Sequence, residues 1–271
     1  MKLNDRVAVL TGAGGGIGRS LALALARRGC HLALADIDEH GLRETARMAG
    51  KSGVHTSQHV LDVACRAAVA ALPHAVVQEH DQVDLVINNA GVALGGTFEE
   101  VSEADFDWVM AVNFEGVVRM TRAFLPLLRE RQQARIVNIS SLFGLIAPPG
   151  HAAYCASKFA VRGFSNALRH ELAGTPIGVT VVHPGGVTTS IARHARTRSN
   201  LCEEEVRQGR ADFEKLLRMP PQKAAEIIVR AVQVDRERVL VGHDAVISSW
   251  LERLMPTSYW RLIGRAMPSR N

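Results

Sequence analysis

The chain lacks several features that mark other classes of protein. Only four of its 271 residues are cysteines, and they are far apart, at Cys30, Cys65, Cys155 and Cys202. They form no CxxC pair or Cys/His cluster, so we expect reduced thiols, a cytoplasmic location and no metal site. No stretch of about 20 residues is continuously apolar, so we expect no membrane-spanning helix. We also expect no signal peptide, because no apolar segment precedes the first strand-like run.

The first 190 residues lack an excess of charge of either sign. They hold 17 basic and 17 acidic side chains, whereas residues 191–271 hold 15 and 10, which gives the whole net charge of +5. The first part therefore offers no basic surface for nucleic acid. The excess in the second part is mixed with acidic residues and has few aromatics, so we expect no nucleic-acid partner.

The composition and pattern that remain are those of a globular α/β protein. The chain is 47% hydrophobic and 22% charged, and its length is compatible with one α/β domain. Short aliphatic or β-branched runs alternate with longer helical patterns as far as residue 190. This alternation predicts a parallel sheet covered by helices on both faces, with ligands bound at the carboxyl ends of the strands.

A glycine-rich turn, TGAGGGIG at residues 11–18, stands between the first strand and the first helix. Glycines let the backbone approach a pyrophosphate closely, and a helix N-terminus supplies amide donors. Asp36 ends the next strand, where a carboxylate can bind both ribose hydroxyls and repel a 2′-phosphate. No charged residue lies within 13–17, so we favour NAD(H) over NADP(H). The alternative is an ordinary glycine turn beside a solvated Asp36.

A tyrosine and a lysine lie four residues apart in a predicted helix over 152–173. Tyr154 and Lys158 therefore share one face, where the ammonium and an oxidised nicotinamide would both lower the pKa of the phenol. Such a pair taken alone is mostly structural, but Tyr154 is one of only two tyrosines, and Lys158 is one of five lysines against 27 arginines. Ser141, after the predicted strand 135–139, can donate to a carbonyl oxygen. We prefer it to the adjacent Ser140.

Taken together, the motifs resemble those of the classical short-chain dehydrogenase/reductase family. The resemblance extends over roughly residues 2–190, and more loosely to about 242. The matching motifs are the glycine turn, Asn88-Asn89-Ala90-Gly91, Asn113, Ser141, Tyr154-Cys155-Ala156-Ser157-Lys158 and Pro184-Gly185-Gly186-Val187-Thr188-Thr189. The resemblance implies a Rossmann-type doubly wound sheet of about seven parallel strands in a single domain. It also implies a nicotinamide cofactor and a homodimer or homotetramer.

The resemblance assigns roles to individual residues. The catalytic set would be Asn113, Ser141, Tyr154 and Lys158. The cofactor would be bound by Gly12, Gly14, Gly16, Ile17, Gly18, Asp36, Asp62, Val63, Asn89, Ala90, Gly91, Tyr154, Lys158, Pro184, Gly185, Val187 and Thr189. Asn113 would hold a water that connects Lys158 to solvent, or else be a polar surface residue. Asp62 would contact the adenine amino group, or cap a helix over 64–78, or do both.

The predicted substrate is an apolar secondary alcohol or ketone, because apolar residues flank the presumed active edge. They are Leu94, Leu142, Phe143, Ile146, Pro148 and Pro149. From this region we select Leu94, Ser141, Phe143 and Pro149 as candidate substrate residues, although the apolar ones can equally be core residues. Two other functions stay open: a non-catalytic dinucleotide-binding sensor or scaffold, which the complete catalytic set disfavours, and an NADPH-dependent ketoacyl reductase, which conflicts with Asp36.

The last third of the chain departs from this pattern. Residues 1–242 are predicted to form the catalytic domain, in which 187–219 form a lid whose Arg193, Arg196 and Arg198 contact an anionic group or face water. Residues 243–271 form an amphipathic extension with aromatic and basic side chains. It can pack against a neighbouring subunit, cover its own pocket, or lie on a membrane surface. We favour the first two, and Pro256 interrupts any single helix.

Overall fold

Seven parallel strands form the central sheet of the computed structural model, which describes residues 1–189, 191, 195–197, 207 and 217–266. The spatial order is β3-β2-β1-β4-β5-β6-β7, so the direction of winding reverses between β1 and β4. This confirms the predicted Rossmann-type doubly wound α/β fold. The strands are β1 (Val7–Thr11), β2 (His31–Asp36), β3 (Thr56–Val60), β4 (Leu85–Asn88), β5 (Ala134–Ile139), β6 (Ile177–Pro184) and β7 (Arg238–Val241).

Helices cover both faces of this sheet. One hydrophobic layer includes Leu25 and Ile228, and the other includes Phe124 and Leu168. From residue 103 to 129 the chain forms two helices joined by a π turn at Ala111–Glu115. The helices are α1 (Gly16–Ala26), α2 (Glu39–Gly50), α3 (Arg66–His80), α4 (Glu103–Met110), α5 (Gly116–Arg129), α6 (Ala152–Glu171), α7 (Pro221–Gln233), α8 (His243–Leu254) and α9 (Tyr259–Ala266).

Side-chain caps fix where two helices begin near the ligand edge. The carboxylate of Asp38 accepts from the backbone N–H of Gly41 at the start of α2. The hydroxyl of Ser102 accepts from the N–H of Asp105 at the start of α4. Each such cap contributes about 1 kcal/mol. The cap on α2 also makes the chain leave the sheet directly after Asp36, which keeps that carboxylate at the strand end.

Much of the predicted lid lies outside the described residues, including Arg193, Arg198 and Cys202, as do residues 267–271. Arg196 is described, in a short parallel pairing of Arg196–Thr197 with Leu94–Gly95. Its guanidinium lies 3.8 Å from the ring centroid of Trp108 and forms a 2.8 Å ion pair with Asp105. Arg196 is exposed, so the alternative that it faces water is the one the structure supports, and a carboxylate of the chain itself pairs with it.

Within the described ranges, no helix is both long and apolar enough to cross a membrane. The same residues contain no cluster of three His, Cys, Asp or Glu side chains suited to a metal ion. Cys30, Cys65 and Cys155 are free thiols.

Candidate active site

The carboxyl ends of the strands bring the predicted site residues to one edge of the sheet. Thr11 ends β1, Asp36 ends β2, Asn88 ends β4 and Pro184 ends β6, while Ser141 lies two residues beyond β5. These positions are distant in sequence but adjacent in the sheet. The parallel topology therefore assembles the site that the motifs predict.

The glycine turn is shaped so that only glycine fits at two of its positions. Gly12 has φ +66°, and a Cβ there would lie 2.8 Å from the Cα of Ala90; a Cβ on Gly18 would collide with the carbonyl of Gly12. Gly15 faces open space, with no atom within 4 Å of its missing Cβ. Because α1 starts at Gly16, the turn presents amide donors to that space, an arrangement that fits a diphosphate.

Asp36 lies directly beside this turn. Its Oδ2 accepts from the N–H of Gly14 (2.6 Å), and its Oδ1 accepts from the N–H of Asp38 (2.9 Å). Sequence reasoning missed a cation here: Arg19 donates to the carbonyl of Gly14 (2.6 Å) and pairs with Glu44 (2.6 Å). The turn is therefore adjoined by one guanidinium, whose charge a neighbouring carboxylate balances.

The end of β4 is hydrogen-bonded to the glycine turn. The side-chain amide of Asn89 donates to the carbonyls of Thr11 and Gly12, at 3.0 Å each. The hydroxyl of Thr11 accepts from the N–H groups of Asn89 and Ala90. The Asn-Asn-Ala-Gly motif therefore holds the turn in place, whatever else it contacts.

Asp62 and Val63 follow β3 at the same edge. Asp62 is exposed, and its Oδ1 accepts from the N–H of Ala64 (2.8 Å). The alternative that Asp62 caps the next helix is wrong, because α3 begins at Arg66 and the carboxylate closes a local turn instead. Val63 is buried against Gly116, where a Cβ would lie 2.9 Å from the valine methyl.

Tyr154 and Lys158 lie on successive turns of α6 and face the end of β5. The Lys158 Nζ is 5.7 Å from the ring centroid of Tyr154 and donates to the carbonyl of Ile139 (3.2 Å). Ser141 is hydrogen-bonded to the Tyr154 side chain. Ser140 instead donates to the carbonyl of Lys158 (2.8 Å). Of the two serines, Ser141 is thus the one that reaches the phenol.

Burial controls the ionisation of both groups in the chain by itself. It raises the pKa of Tyr154 to about 12, and the hydrogen bond with Ser141 acts in the opposite direction. It lowers the pKa of Lys158 to about 8. In the chain alone the desolvation of the phenol dominates, and the ammonium donates to the carbonyl of Ile139. The prediction that Lys158 and an oxidised nicotinamide together lower the pKa of Tyr154 concerns the cofactor-bound site and stays a prediction.

Asn113 occupies the π turn and is fully buried. Its Oδ1 accepts from the N–H of Val92 (2.8 Å), and its Nδ2 donates to the carbonyl of Val92 (3.0 Å) and to Ser157 (3.1 Å). A Cβ on Gly91 would lie 3.2 Å from this Oδ1 and 3.3 Å from the Nζ of Lys158. The side chains of Asn113 and Lys158 therefore converge beside Gly91. The alternative that Asn113 is a polar surface residue is wrong, because it is buried. Single π turns are often found at functional sites.

The segment after β6 is held by a residue that sequence reasoning missed. The Oδ2 of Asp244, at the start of α8, accepts from the N–H of Gly186 (2.6 Å). A Cβ on Gly185 would collide with the same carboxylate. The sequence offers one weak signal, an acidic residue in the first turn of a helix, which is a common position for such contacts.

The rest of this segment approaches the glycine turn. The Thr189 Cβ and Cγ2 lie 3.2 Å from where a Cβ on Gly16 would be. Val187 is buried and forms an isolated parallel bridge with Met219. Pro184, also buried, ends β6. Thr189 and the turn therefore border the same space.

The apolar residues predicted near the substrate differ in burial and in their distance from Tyr154. The ring of Phe143 lies 6.1 Å from that of Tyr154, edge to face, and 5.2 Å from the ring of His151, another residue that sequence reasoning missed. Leu94 is buried in a small cluster with Ala153. Ile146 and Pro148 are buried, Leu142 is partly buried and Pro149 is exposed.

The extension reaches this side of the site as well. The N–H of Ala147 donates to the Oη of Tyr259 (2.9 Å), the second tyrosine of the chain. Helix α8 packs against the short 3-10 turn Leu142–Gly144, which follows Ser141. The predicted extension therefore contacts the loop that carries the candidate substrate residues.

Comparisons with known proteins agree with this geometry. A family model described as short chain dehydrogenase matches residues 6–200. A Mycobacterium tuberculosis protein that carries the oxidoreductase name SadH is 46% identical over 262 residues, which cover 95% of this chain and 94% of that protein.

Two crystal structures illustrate the similarity in three dimensions. A short-chain dehydrogenase/reductase from Burkholderia phymatum in complex with NAD superposes with a TM-score of 0.87 at 29% identity, covering 100% of this chain and 99% of that one. A metagenomic short-chain oxidoreductase in complex with NADP gives 0.72 at 29% identity, covering 89% and 98%.

Proposed function

The chain belongs to the short-chain dehydrogenase/reductase family, and on that premise we propose that it is an NAD(H)-dependent enzyme that interconverts a hydrophobic secondary alcohol and a ketone. Family membership makes it an oxidoreductase. The cofactor preference, the reacting group and the catalytic residues are the proposal. The observation that carries it is the convergence of Asn113, Ser141, Tyr154 and Lys158 beside the glycine turn.

The residues around the turn fit a dinucleotide. The open space at Gly15, the start of α1 and the carboxylate of Asp36 match the needs of a diphosphate and an adenosine ribose. When bound, the dinucleotide supplies the hydride acceptor or donor. We propose that it is held by Gly12, Gly14, Gly16, Ile17, Gly18, Asp36, Asp62, Val63, Asn89, Ala90, Gly91, Tyr154, Lys158, Pro184, Gly185, Val187 and Thr189.

In alcohol oxidation the phenolate oxygen of Tyr154 accepts the hydroxyl proton, and in ketone reduction the phenol returns it. The hydroxyl of Ser141 donates to the substrate oxygen and stabilises the negative charge that develops there. Lys158 binds the nicotinamide ribose and favours the phenolate. Asn113, placed across Gly91 from Lys158, holds the water that connects the ammonium to solvent.

We propose NAD(H) rather than NADP(H) because of Asp36. One similar structure holds NAD and the other NADP, so the preference rests on this chain's own carboxylate. A 2′-phosphate would meet the negative charge of Asp36, and Arg19, the cation beside the turn, is paired with Glu44. The NADPH-dependent ketoacyl reductase is disfavoured for this reason.

The wider organisation is also part of the proposal. Residues 1–242 would form the catalytic domain with a lid at 187–219, residues 243–271 would form an extension of it, and the protein would act in the cytoplasm as a homodimer or homotetramer. Phe143, whose ring lies beside Tyr154, supports an apolar substrate, whereas Leu94 packs in a core cluster and Pro149 is exposed. Multi-angle light scattering measures the oligomeric state.

A substrate panel tests the activity directly. Hydrophobic secondary alcohols are offered with NAD⁺ or NADP⁺, and formation of the reduced cofactor is followed by absorbance, with Tyr154→Phe in parallel. We expect turnover with NAD⁺ that the variant loses. Tighter binding of NADPH than NADH would overturn the cofactor preference. Binding of either dinucleotide without turnover of any substrate would favour the sensor or scaffold.

A further inference from the structure

Helix α8 is amphipathic in the reverse of the usual sense. The residues that it buries are small or polar: Ala245, Ser248 and Ser249. The large apolar ones are exposed: Ile247 by 60%, Trp250 by 58% and Leu254 by 72%. Their spacing of three and four residues places them in one strip along the helix. A helix that only covered its own domain would present the opposite pattern, and the residues for which the structure gives a position leave this strip largely exposed.

The exposed large apolar residues of the described chain are concentrated on this helix. Val246, also exposed, borders the strip, and Leu262 on α9 is 46% exposed. Elsewhere in the described chain, the large exposed apolar residues, such as Ile37 and Phe98, are separated in sequence from one another. We call the surface formed by Val246, Ile247, Trp250 and Leu254 the outer strip. Such a concentration marks an interaction surface, whereas single exposed apolar residues do not.

Cations border the outer strip, and the carboxylates of the extension point away from it. Arg253, next to Leu254 on α8, and Arg261 on α9 are exposed, and neither forms an ion pair with any other residue for which the structure gives a position. Asp244 accepts from the N–H of Gly186, and Glu252 acts on the charge of Arg238. The strip thus combines apolar and aromatic side chains with unpaired positive charge.

We propose that the outer strip docks the protein on an anionic membrane surface. Apolar side chains and a tryptophan suit the headgroup boundary, and the two arginines pair with anionic headgroups. A symmetric contact between two copies would instead bring the arginines of one copy to the same basic surface of the other. The contact is peripheral, because no helix of the described ranges can cross a bilayer. It does not depend on the proposed enzymatic activity.

Vesicle sedimentation tests the docking with the full chain. We expect the protein to pellet with vesicles of phosphatidylcholine and phosphatidylglycerol, but not with phosphatidylcholine alone, and salt to weaken the binding. The variant Trp250→Ser/Leu254→Ser should bind about tenfold or more weakly, and Arg253→Gln/Arg261→Gln should lose the preference for the anionic vesicles. Matched controls are Phe98→Ser, which removes an apolar side chain that is 74% exposed, and Arg47→Gln, which removes an exposed cation on α2.

Three results would overturn the proposal. The parent protein could stay in the supernatant with the anionic vesicles, or the outer-strip variants could pellet as the parent does. As the third result, light scattering could show that Trp250→Ser/Leu254→Ser is a monomer whereas the parent is an oligomer. This would identify the strip as a contact between subunits. Because all the substituted side chains are exposed, circular dichroism and Tm should show that the variants fold; Ile247→Ser is an independent replacement if one does not.

Discussion

The catalytic edge of the sheet and the C-terminal extension both reach the candidate active site, but they do so by different physical means. At the catalytic edge, a few residue types with special chemistry occur at fixed spacing: glycines in a turn, a carboxylate at a strand end, and a tyrosine four residues before a lysine. The extension accepts ordinary hydrogen bonds: Asp244 accepts from the N–H of Gly186, and Tyr259 accepts from the N–H of Ala147. Chemistry is therefore concentrated at the edge, and support is supplied by the extension.

The two tyrosines of the chain make this difference measurable. Tyr154 is bonded to Ser141 and lies beside Lys158, whereas Tyr259 accepts one backbone N–H at the surface of the substrate loop. Identical substitutions at the two positions should have very different consequences. The substitutions below are ordered from the largest expected effect to the smallest.

Tyr154→Phe should lower kcat by about a thousandfold, because it removes the group that we propose transfers the proton and leaves the ring packing intact. NADH binding, followed by fluorescence titration, should change little, which separates loss of chemistry from loss of the site. Turnover by this variant at the parental rate would remove Tyr154 from the mechanism and erase the contrast with Tyr259.

Lys158→Met should lower kcat by about a hundredfold and, at the same time, raise Tm. Burial lowers the pKa of Lys158 from 10.5 to about 8. Below pH 8 the buried ammonium therefore destabilises the folded protein relative to the unfolded chain. The difference corresponds to about 3 kcal/mol at about 1.4 kcal/mol per pKa unit. The stabilisation of Lys158→Met relative to the parent should be complete below pH 8 and should disappear as the pH rises above 10.5. A variant less stable than the parent at pH 7 would contradict this account of the lysine.

Asp36→Ala should weaken NADH binding by about tenfold and narrow the preference over NADPH, since both ribose hydrogen bonds and the repulsion of a 2′-phosphate are lost. Calorimetric titration with the two reduced cofactors measures both changes. Asp38→Ala is the matched control, because it removes a neighbouring carboxylate that caps α2. If the two variants bind NADH equally well, Asp36 has no special part in recognising the ribose.

Tyr259→Phe should raise the KM for the alcohol by about threefold and leave kcat and NADH binding nearly unchanged, because a single exposed hydrogen bond is worth about 1 kcal/mol or less. Steady-state kinetics with a substrate from the panel provides the measurement. A large fall in kcat would show that the extension takes part in the chemistry, and the division between edge and extension would then fail.

The same division explains what could be predicted from the sequence. The fold and the catalytic edge of the sheet could be predicted, because the periods of strands and helices are local properties of the sequence. Residues such as Gly12, Asp36 and Lys158 also fall at strand ends or at helical spacing. Contacts between distant segments were not. Arg19 reaching Gly14, His151 stacking near Phe143 and Asp244 holding Gly186 depend on how the segments pack.

The ionisation of the site residues also could not be predicted without the three-dimensional structure. Spacing alone suggested that Lys158 lowers the pKa of Tyr154, but the degree of burial of the phenol decides the sign in the chain by itself. The π turn at Asn113 could not be predicted either, because it is continuous with the α-helices on both sides and so leaves no break in the sequence pattern. The reversed polarity of α8 became visible only when the buried face of the helix was known.

The most direct measurement is the titration of the Tyr154 phenol itself. Tyr259→Phe leaves Tyr154 as the only tyrosine, so the ultraviolet absorbance of the phenolate reports this group alone. Without cofactor we expect no ionisation below pH 10, because burial raises the pKa to about 12. With NAD⁺ bound, the pKa should fall below the ordinary value of about 10, since the positive nicotinamide and Lys158 both favour the phenolate. A phenol that still ionises only above pH 10 when NAD⁺ is bound would contradict the proposed role of Tyr154.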